Sequence, residues 1–271
     1  MQKFNICVVG VGAWGSNHVR SLISMNHSVG CVDQNHEKLI EIKTLFPSIK
    51  HFSRIEDTFK EKFDGYIIAT PPASHTELAK IVILNGKPLL IEKPLSLTLS
   101  EAKEIKAFLV KYGGKLMVGH LMLFHPAIIK IKSMIDEQKI GDIQYIYSNR
   151  LNLGTVRKEE NVFWSFAPHD ISIFQYFSNS FPCKVDSFGG DFLQKGIHDT
   201  TITYLKYPNG IQGHIYVSWL HPFKEHRLVV IGSKGSIHFE DSINSKPLQF
   251  YEKDNSETQN PIILKNKIAK I

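Results

Sequence analysis

Cys7-Val8-Val9-Gly10-Val11-Gly12-Ala13-Trp14-Gly15 is an apolar run that leads directly into the pattern G-x-G-x-x-G. At a strand-to-helix junction each glycine has a physical purpose. Gly10 permits a tight turn, Gly12 lets backbone N–H groups approach a pyrophosphate, and Gly15 lets the helix pack closely on the strand. The pattern therefore predicts a strand, a turn and a helix in this order, with a dinucleotide site at the turn.

Two neighbouring features favour that interpretation over its alternative, a glycine-rich turn in some other α/β domain. The helix that begins near Ala13 and Trp14 would direct the positive end of its dipole at the phosphates. Asp33 closes the next apolar run, at the spacing at which such units place an acid beside the adenosine ribose.

The composition is that of an ordinary globular protein. Of 271 residues, 42% are hydrophobic and 21% are charged, and this length suffices for two domains. No apolar run approaches the roughly 18 residues of a membrane span, and the first residues do not resemble a signal peptide. We therefore expect no membrane association and a cytoplasmic location.

Charge and cysteine content exclude two further classes of site. The net charge of +6 comes mostly from scattered lysines, without the interleaved aromatic residues of a nucleic-acid surface, so we expect no nucleic-acid partner. Cys7, Cys31 and Cys183 have neither disulfide nor metal-site spacing, so we expect no metal.

The first 120 residues alternate short apolar runs with helical patterns, which is typical of βαβ units. We predict a dinucleotide-binding domain over residues 1–120, an α/β Rossmann fold with a doubly wound parallel sheet. Strands are expected near residues 4–9, 29–32, 65–69, 88–91 and 116–118, with a weaker one near 50–52, and helices include 74–84 and 100–112.

From residue 121 to residue 271 the pattern is that of an α+β domain with a large, mainly antiparallel open sheet. Helices are expected at about 126–137 and 169–177, and strands near 143–151, 185–192, 200–207, 211–219, 227–231 and 236–239. Residues 261–271 fit a closing strand, a docked amphipathic segment or a frayed tail.

Two helices cannot cover both faces of such a sheet. Ile215, Val217 and Trp219 alternate along one predicted strand, so we expect the second domain to form a homodimer or homotetramer, sheet against sheet.

Three segments follow strands at the carboxyl edge of the first sheet, where doubly wound folds bind ligands. One contains Thr70, Pro71, Pro72 and His75, and its prolines favour an extended path over the cofactor. The others are Glu92-Lys93-Pro94 and Val118-Gly119-His120. A merely rigid loop and a solvated histidine are the alternatives for the first segment.

Lys93 lies between a buried strand and a proline, an unusual place for a lysine that only contacts water. Such a lysine can donate hydrogen bonds to a substrate hydroxyl. Glu92 could pair with Lys93 or hold the backbone geometry around it.

The segment from Asn161 to Asp170 contains the second candidate for chemistry. Pro168 followed by His169 indicates a helix start, with the imidazole near the first turn. Because histidine accepts a proton near neutral pH, His169 is a candidate base for the hydroxyl proton of an alcohol during hydride transfer. The alternatives are a structural histidine and a plain aromatic core around Trp164.

Arg150 and Arg157 bracket one short segment and are two of only five arginines. Arginine is suited to bidentate phosphate binding, so both are candidates for the phosphates of a substrate.

The G-x-G-x-W-G turn, the Thr-Pro-Pro before His75, Glu92-Lys93-Pro94 and the helical His169 together resemble the Gfo/Idh/MocA oxidoreductases, over residues 1 to about 250. The resemblance implies NAD as cofactor, a cis Lys93–Pro94 bond, and contacts of Lys93 and His169 with the sugar hydroxyl that is oxidised. The expected cofactor site is Gly10, Gly12, Ala13, Trp14, Gly15, Asp33, Thr70, Pro71, Pro72, His75, Glu92 and Lys93. The expected substrate site is Lys93, His120, Arg150, Asn152, Arg157, Trp164 and His169.

Within that family, Arg150-Leu-Asn-Leu-Gly and the segment from Trp164 to Asp170 resemble UDP-N-acetylglucosamine 3-dehydrogenases of polysaccharide gene clusters. This resemblance implies oxidation of the C3 hydroxyl of a UDP-N-acetyl sugar, in cell-surface polysaccharide or lipid A sugar biosynthesis. A dehydrogenase of a free sugar or inositol, and a catalytically silent NAD-binding scaffold or sensor, are the alternatives.

The chain departs from the family pattern in two places. Ser165 stands where the family often has an aspartate that supports the histidine, which leaves Lys93 as a rival to His169 for the proton. The chain also ends earlier than is usual for the family, from which we expect a different subunit contact or an impaired protein.

Overall fold

The computed structural model describes residues 2–154, 156–157, 160–243, 248–254 and 265–269. The chain forms two compact units, Met1–Gly119 and His120–Ile271, which are described separately. Within the described part of the chain, no helix is both long and apolar enough to cross a membrane.

The first unit is a six-stranded sheet in the order β3-β2-β1-β4-β5-β6, and every pair of neighbouring strands is parallel. The strands are β1 Asn5–Val9, β2 Ser28–Val32, β3 Lys50–Phe52, β4 Gly65–Ile68, β5 Leu89–Ile91 and β6 Leu116–Val118. The helices are α1 Ala13–Ser24, α2 His36–Leu45, α3 His75–Leu84 and α4 Leu99–Tyr112, with 3-10 turns at Ile55–Lys60 and Pro72–Ser74.

Helices cover both faces of this sheet, which confirms the predicted doubly wound fold. Alternate residues of β1 point to opposite faces, so Val8 packs in one core cluster with Val19 of α1, and Val9 packs in another with Ile105 of α4. The strand order reverses between β1 and β4, the point at which open α/β sheets bind ligands.

Local signals in the sequence explain the helix ends. Thr98 and Glu101 form a capping box at the start of α4, and Gly113, with φ of 72°, ends that helix. The Asn35 side chain caps α2 by accepting hydrogen bonds from the backbone N–H groups of Glu37 and Lys38.

The second unit contains an eight-stranded sheet in the order β14-β13-β12-β11-β7-β10-β9-β8. Its strands are β7 Ile143–Leu153, β8 Lys184–Gly190, β9 Thr200–Lys206, β10 Gln212–Ser218, β11 Leu220–Gly232, β12 Gly235–Glu240, β13 Leu248–Asp254 and β14 Lys265–Ala269. Among the strand pairs that the structure describes in this sheet, β7–β10 alone is parallel, so the predicted mainly antiparallel sheet is confirmed.

Two helices, α5 Pro126–Asp136 and α6 Val162–Ser178, lie on one face of this sheet, after a 3-10 turn at Leu121–Phe124. Ile131 of α5 and Phe174 of α6 belong to one buried cluster with residues of the sheet. Ile215, Val217 and Trp219 are buried in that cluster. These three residues therefore pack against the helices, and the predicted sheet-to-sheet contact between subunits would involve the opposite face.

The face away from the helices is rich in polar aromatic side chains instead. Tyr204, His214 and Tyr147 are neighbours across β9, β10 and β7, and the Tyr147 and His214 rings stack at 5.1 Å. The Tyr145 hydroxyl lies 2.8 Å from Nδ1 of His214. Burial lowers the pKa of His214. This face is thus ordered by its own side-chain contacts.

The predicted start of α6 at Pro168–His169 is wrong. The Asn161 side chain caps α6 by accepting a hydrogen bond of 3.1 Å from Trp164 N, and Pro168 lies inside the helix. Proline is also common at helix starts, so its position in the sequence pointed to a false boundary.

The end of the chain includes the strand β14, so residues 265–269 follow the closing-strand alternative. The other residues of the predicted tail, 261–264 and 270–271, lie outside the described part of the chain.

Candidate active site

The turn after β1 requires glycine at its first and third glycine positions. Gly10 has φ of +87°, and a methyl group on it would lie 2.8 Å from Cγ2 of Thr70. A methyl group on Gly15 would lie 1.8 Å from the Gly10 carbonyl oxygen, which is far inside contact distance. These two glycines let α1 begin directly against the end of β1.

Gly12 is different, because the space beside it is open and a methyl group there would clash with no protein atom. The nearest atom that it would approach is Nζ of Lys38, at 3.9 Å. No side chain caps the start of α1, and its first turn has no acidic residue. The uncapped N–H groups of Ala13, Trp14 and their neighbours therefore fit the pyrophosphate of a dinucleotide.

Asp33 holds the same turn through both carboxylate oxygens. Its Oδ2 accepts a hydrogen bond of 2.9 Å from Val11 N, and its Oδ1 accepts one of 2.8 Å from Asn35 N. Each oxygen keeps a lone pair for another donor, which fits the predicted contact with ribose hydroxyls. Asp33 thus shapes the glycine turn as well as the predicted ribose site.

The Thr70–Pro72 loop follows β4 at the same edge. Ser74 Oγ donates to Thr70 Oγ1 at 2.7 Å and approaches the Pro71 carbonyl at 2.8 Å. Pro71 is exposed and Pro72 is half-buried. Their predicted contact with the cofactor stays a prediction.

His75 is fully buried, and its ring lies between two backbone carbonyls, with Nδ1 2.9 Å from Pro94 O and Nε2 2.9 Å from Thr70 O. The ring is therefore not solvated, and the expected contact of His75 with the cofactor stays a prediction. These contacts join the loops after β4 and β5.

The Glu92-Lys93-Pro94 segment follows β5, and the Lys93–Pro94 peptide bond is cis. Glu92 is buried, and its Oε2 accepts a hydrogen bond of 3.2 Å from the backbone N–H of Lys93. This contact corresponds to one of the two roles considered for Glu92, that of holding the backbone around Lys93. Lys93 itself is half-buried.

The second unit places His169 within α6, seven residues after the first residue of the helix. Ser165 lies four residues earlier and therefore on the same helix face. Ser165 is buried and His169 is half-buried, so this face of α6 lies partly in the protein interior.

Arg150 has a different environment from the one that the sequence predicted. Its Nε and Nη2 donate to Oδ2 and Oδ1 of Asp170 at 2.9 and 3.1 Å, and the two side chains are only 13% and 3% exposed. Burial by itself lowers the pKa of the Arg150 guanidinium, but the charge and hydrogen bonds of Asp170 outweigh burial and raise it. The two guanidinium nitrogens that could have bound a phosphate together instead hold α6 against β7.

Arg157 is the more accessible of the two arginines. Its side chain is 57% exposed, and its Nε lies 4.0 Å from Oε1 of Glu160, a loose ion pair. Asn152 is half-buried near the end of β7, Trp164 is exposed on α6, and His120 is half-buried just before the first 3-10 turn of its unit. Their substrate contacts stay predictions.

The sequence did not predict three residues that contact the candidate residues of the two units. His18 pairs with Glu92, Lys38 reaches the glycine turn, and Asp170 binds Arg150. Asp170, next to His169 in the sequence, could have indicated such a pair, since a buried arginine needs a carboxylate partner. Within the residues that the structure describes, no group of three His, Cys, Asp or Glu side chains is arranged to hold a metal ion.

Comparison with family models identifies both units. Residues 4–120 match the Gfo/Idh/MocA oxidoreductase family model of the NAD-binding Rossmann fold, and residues 128–238 match the C-terminal domain of the same family. The two matches together span most of the chain.

Individual relatives are distant and differ in their substrates. The chain is 27% identical over 247 residues to scyllo-inositol 2-dehydrogenase (NAD(+)) of Bacillus subtilis (strain 168), covering 85% of this chain and 72% of that protein. It is 26% identical over 188 residues to UDP-N-acetylglucosamine 3-dehydrogenase of Acidithiobacillus ferrooxidans, covering 67% of this chain and 56% of that protein. A crystal structure of the latter enzyme matches the fold with a TM-score of 0.85 at 21% identity, covering 100% of this chain and 84% of that one.

Two glycine variants separate folding from cofactor binding at the turn. Gly15→Ala should unfold at a lower temperature than the native protein, because its methyl group cannot fit beside the Gly10 carbonyl. Gly12→Ala should unfold near the native temperature but bind NAD more weakly, because its methyl group points into the space proposed for the pyrophosphate. Circular dichroism and calorimetric titration with NAD measure the two effects, and native NAD affinity in Gly12→Ala would contradict this placement.

Proposed function

Because this chain belongs to the Gfo/Idh/MocA oxidoreductase family, we propose that it is an NAD-dependent dehydrogenase that oxidises the C3 hydroxyl of a UDP-linked N-acetyl sugar. The observation that carries the proposal is the edge of the first sheet. There an uncapped helix start and the open space beside Gly12 follow β1, and the firmly held segment around Lys93 follows β5.

The residues of the first unit fit NAD. The α1 N–H groups and Lys38 would bind its pyrophosphate, and Asp33 would accept hydrogen bonds from the adenosine ribose. The chemistry that NAD supplies when bound is acceptance of a hydride from the carbon that bears the hydroxyl.

Oxidation of the hydroxyl also releases its proton, which one of the chain's own residues must accept. We assign His169 as the general base, because an imidazole accepts a proton near neutral pH. We assign Lys93 as the donor that orients the hydroxyl oxygen and stabilises the negative charge that develops on it.

The negatively charged pyrophosphate of UDP needs a positively charged side chain as its partner, and we propose Arg157 for this role. It follows β7, is largely exposed, and forms only a loose ion pair with Glu160. Arg150 was the other candidate, but its ion pair with Asp170 leaves only Nη1 outside that pair's hydrogen bonds. We therefore propose that Arg150 supports α6, and that Arg157 contacts the pyrophosphate.

A second candidate substrate is a free inositol or sugar, favoured by the 27% identity with scyllo-inositol 2-dehydrogenase. The deciding experiment is incubation of the pure protein with NAD and a panel of UDP-sugars, free sugars and inositols, with NADH followed by absorbance. We expect turnover with UDP-N-acetyl sugars, and mass spectrometry should locate the new carbonyl at C3. Turnover with inositols alone would establish the second candidate.

The two arginines should respond differently to substitution. Arg157→Ala should raise KM for the UDP-sugar with little change in NAD affinity, because a phosphate contact exists in both the ground and the transition state. Arg150→Met should instead destabilise the fold by about 3–5 kcal/mol, since it leaves the buried Asp170 carboxylate without its partner. Urea unfolding measures this loss, and Asp170→Leu added to Arg150→Met should recover part of it.

The proton assignment predicts a large effect on turnover. His169→Asn should lower kcat by ~10²–10⁴-fold, the usual share of general acid–base catalysis, while NAD binding is retained. Lys93→Met should also lower kcat but leave His169 able to accept the proton. Near-normal turnover in His169→Asn, together with no turnover in Lys93→Met, would exchange the two roles.

We also propose that the polar aromatic face of the second sheet forms a homodimer or homotetramer. Tyrosine and other aromatic residues are enriched in protein interfaces, and here they are already held by mutual contacts. Light scattering at micromolar protein should give a mass above that of one chain. Tyr147→Lys should lower that mass, and a monomer in the native protein would contradict the proposal.

A further inference from the structure

Two histidines, His18 and His75, flank the Glu92-Lys93-Pro94 segment. His18 lies on α1, and its Nε2 is 2.7 Å from Oε1 of Glu92. Because the side chains of His18 and Glu92 are 25% and 10% exposed, water screens this pair only partly. This contact ties the residue before Lys93 to the helix that follows the glycine turn.

Glu92 contacts Lys93 through its other carboxylate oxygen, so the position of Lys93 depends on the contact between Glu92 and His18. While Oε1 meets His18, Oε2 accepts the backbone N–H of Lys93. The backbone of Gly119, directly after β6, lies close to the same carboxylate, since a methyl group on Gly119 would lie 3.0 Å from Oε2. The carboxylate therefore has little freedom to move away from Lys93.

His75 restrains the other side of Lys93. Its Nδ1 lies 2.9 Å from the carbonyl oxygen of Pro94, and its Nε2 lies 2.9 Å from that of Thr70. Carbonyl oxygens only accept hydrogen bonds, and a neutral imidazole carries a single N–H, so the ring donates to one of these carbonyls through whichever nitrogen carries the proton. The residue after Lys93 is thereby joined to the loop that follows β4.

We propose that His18 and His75 are positioning residues that fix the backbone on both sides of Lys93 and thereby direct its ammonium group. A lysine side chain has four flexible carbons, so its direction depends on where its backbone is held. The inference rests on the proposed function, since it assumes that Lys93 contacts the reacting hydroxyl. A misplacement of about 1 Å in such a group can cost on the order of 100-fold in rate.

The test compares His18→Leu, which removes the contact with Glu92, and His75→Phe, which keeps a ring but removes both ring nitrogens. His18→Gln keeps a donor for Glu92, and His51→Leu is the matched control, since His51 is an exposed histidine on β3. Each variant is measured for kcat, KM and NAD affinity with the best substrate of the panel. The rate of Lys93 acetylation in the NAD-free protein is measured by mass spectrometry.

We expect His18→Leu and His75→Phe to lower kcat about 10- to 100-fold, with NAD affinity close to native. Lys93 acetylation should change in both variants and stay native in His51→Leu, and His18→Gln should recover part of the lost kcat. In a Lys93→Met background the His18→Leu change should have no further effect on kcat, which a general loss of stability would not produce.

Three results would overturn the inference, and they differ in what they say of the proposed function. Native kcat and native Lys93 acetylation in both histidine variants, with Lys93→Met inactive, would remove the positioning role and leave the proposed function intact. Native kcat in Lys93→Met would remove the proposed role of Lys93 and the inference with it. If His75→Phe fails to fold, a His18→Leu effect that adds fully to that of Lys93→Met would by itself overturn the inference.

Discussion

The close approach of α1 to the end of β1 is the constraint on which the first unit depends. A helix can start directly beside the Gly10 carbonyl only because Gly15 has no side chain, since a methyl group there would lie 1.8 Å from that oxygen. This approach places the uncapped N–H groups of α1 at the carboxyl edge of the sheet. The Asp33 contacts with Val11 and Asn35 then fix the same turn from the neighbouring strand.

The other parts of that edge are joined to the turn by polar contacts rather than by the apolar core. Glu92 connects β5 to α1 through His18, and His75 connects the loop after β4 with the Pro94 carbonyl. Hydrogen bonds define direction as well as distance, so they restrain the loops that carry chemistry more tightly than apolar contact does. The second unit uses the same principle, with the buried Arg150–Asp170 pair between β7 and α6.

Much of the fold could be predicted because its signals are local. The glycine pattern, the capping box at Thr98 and the apolar runs of β1 and β2 each depend on residues close in sequence. The start of α6 could not be predicted in the same way, because two local signals compete there. Asn161 caps the helix, and Pro168, which resembled a helix start, lies within it.

The class of fold, the glycine turn and the residues at the ends of strands can be inferred from the amino-acid order alone, since backbone geometry restricts those positions directly. Which side chains meet depends on how the chain folds. The tertiary structure paired Arg150 with Asp170, buried His75 between two carbonyls and brought His18 to Glu92, a residue 74 positions away. The physical reason is that a charged or polar side chain acts through the partner that folding brings to it, and spacing in the sequence does not name that partner.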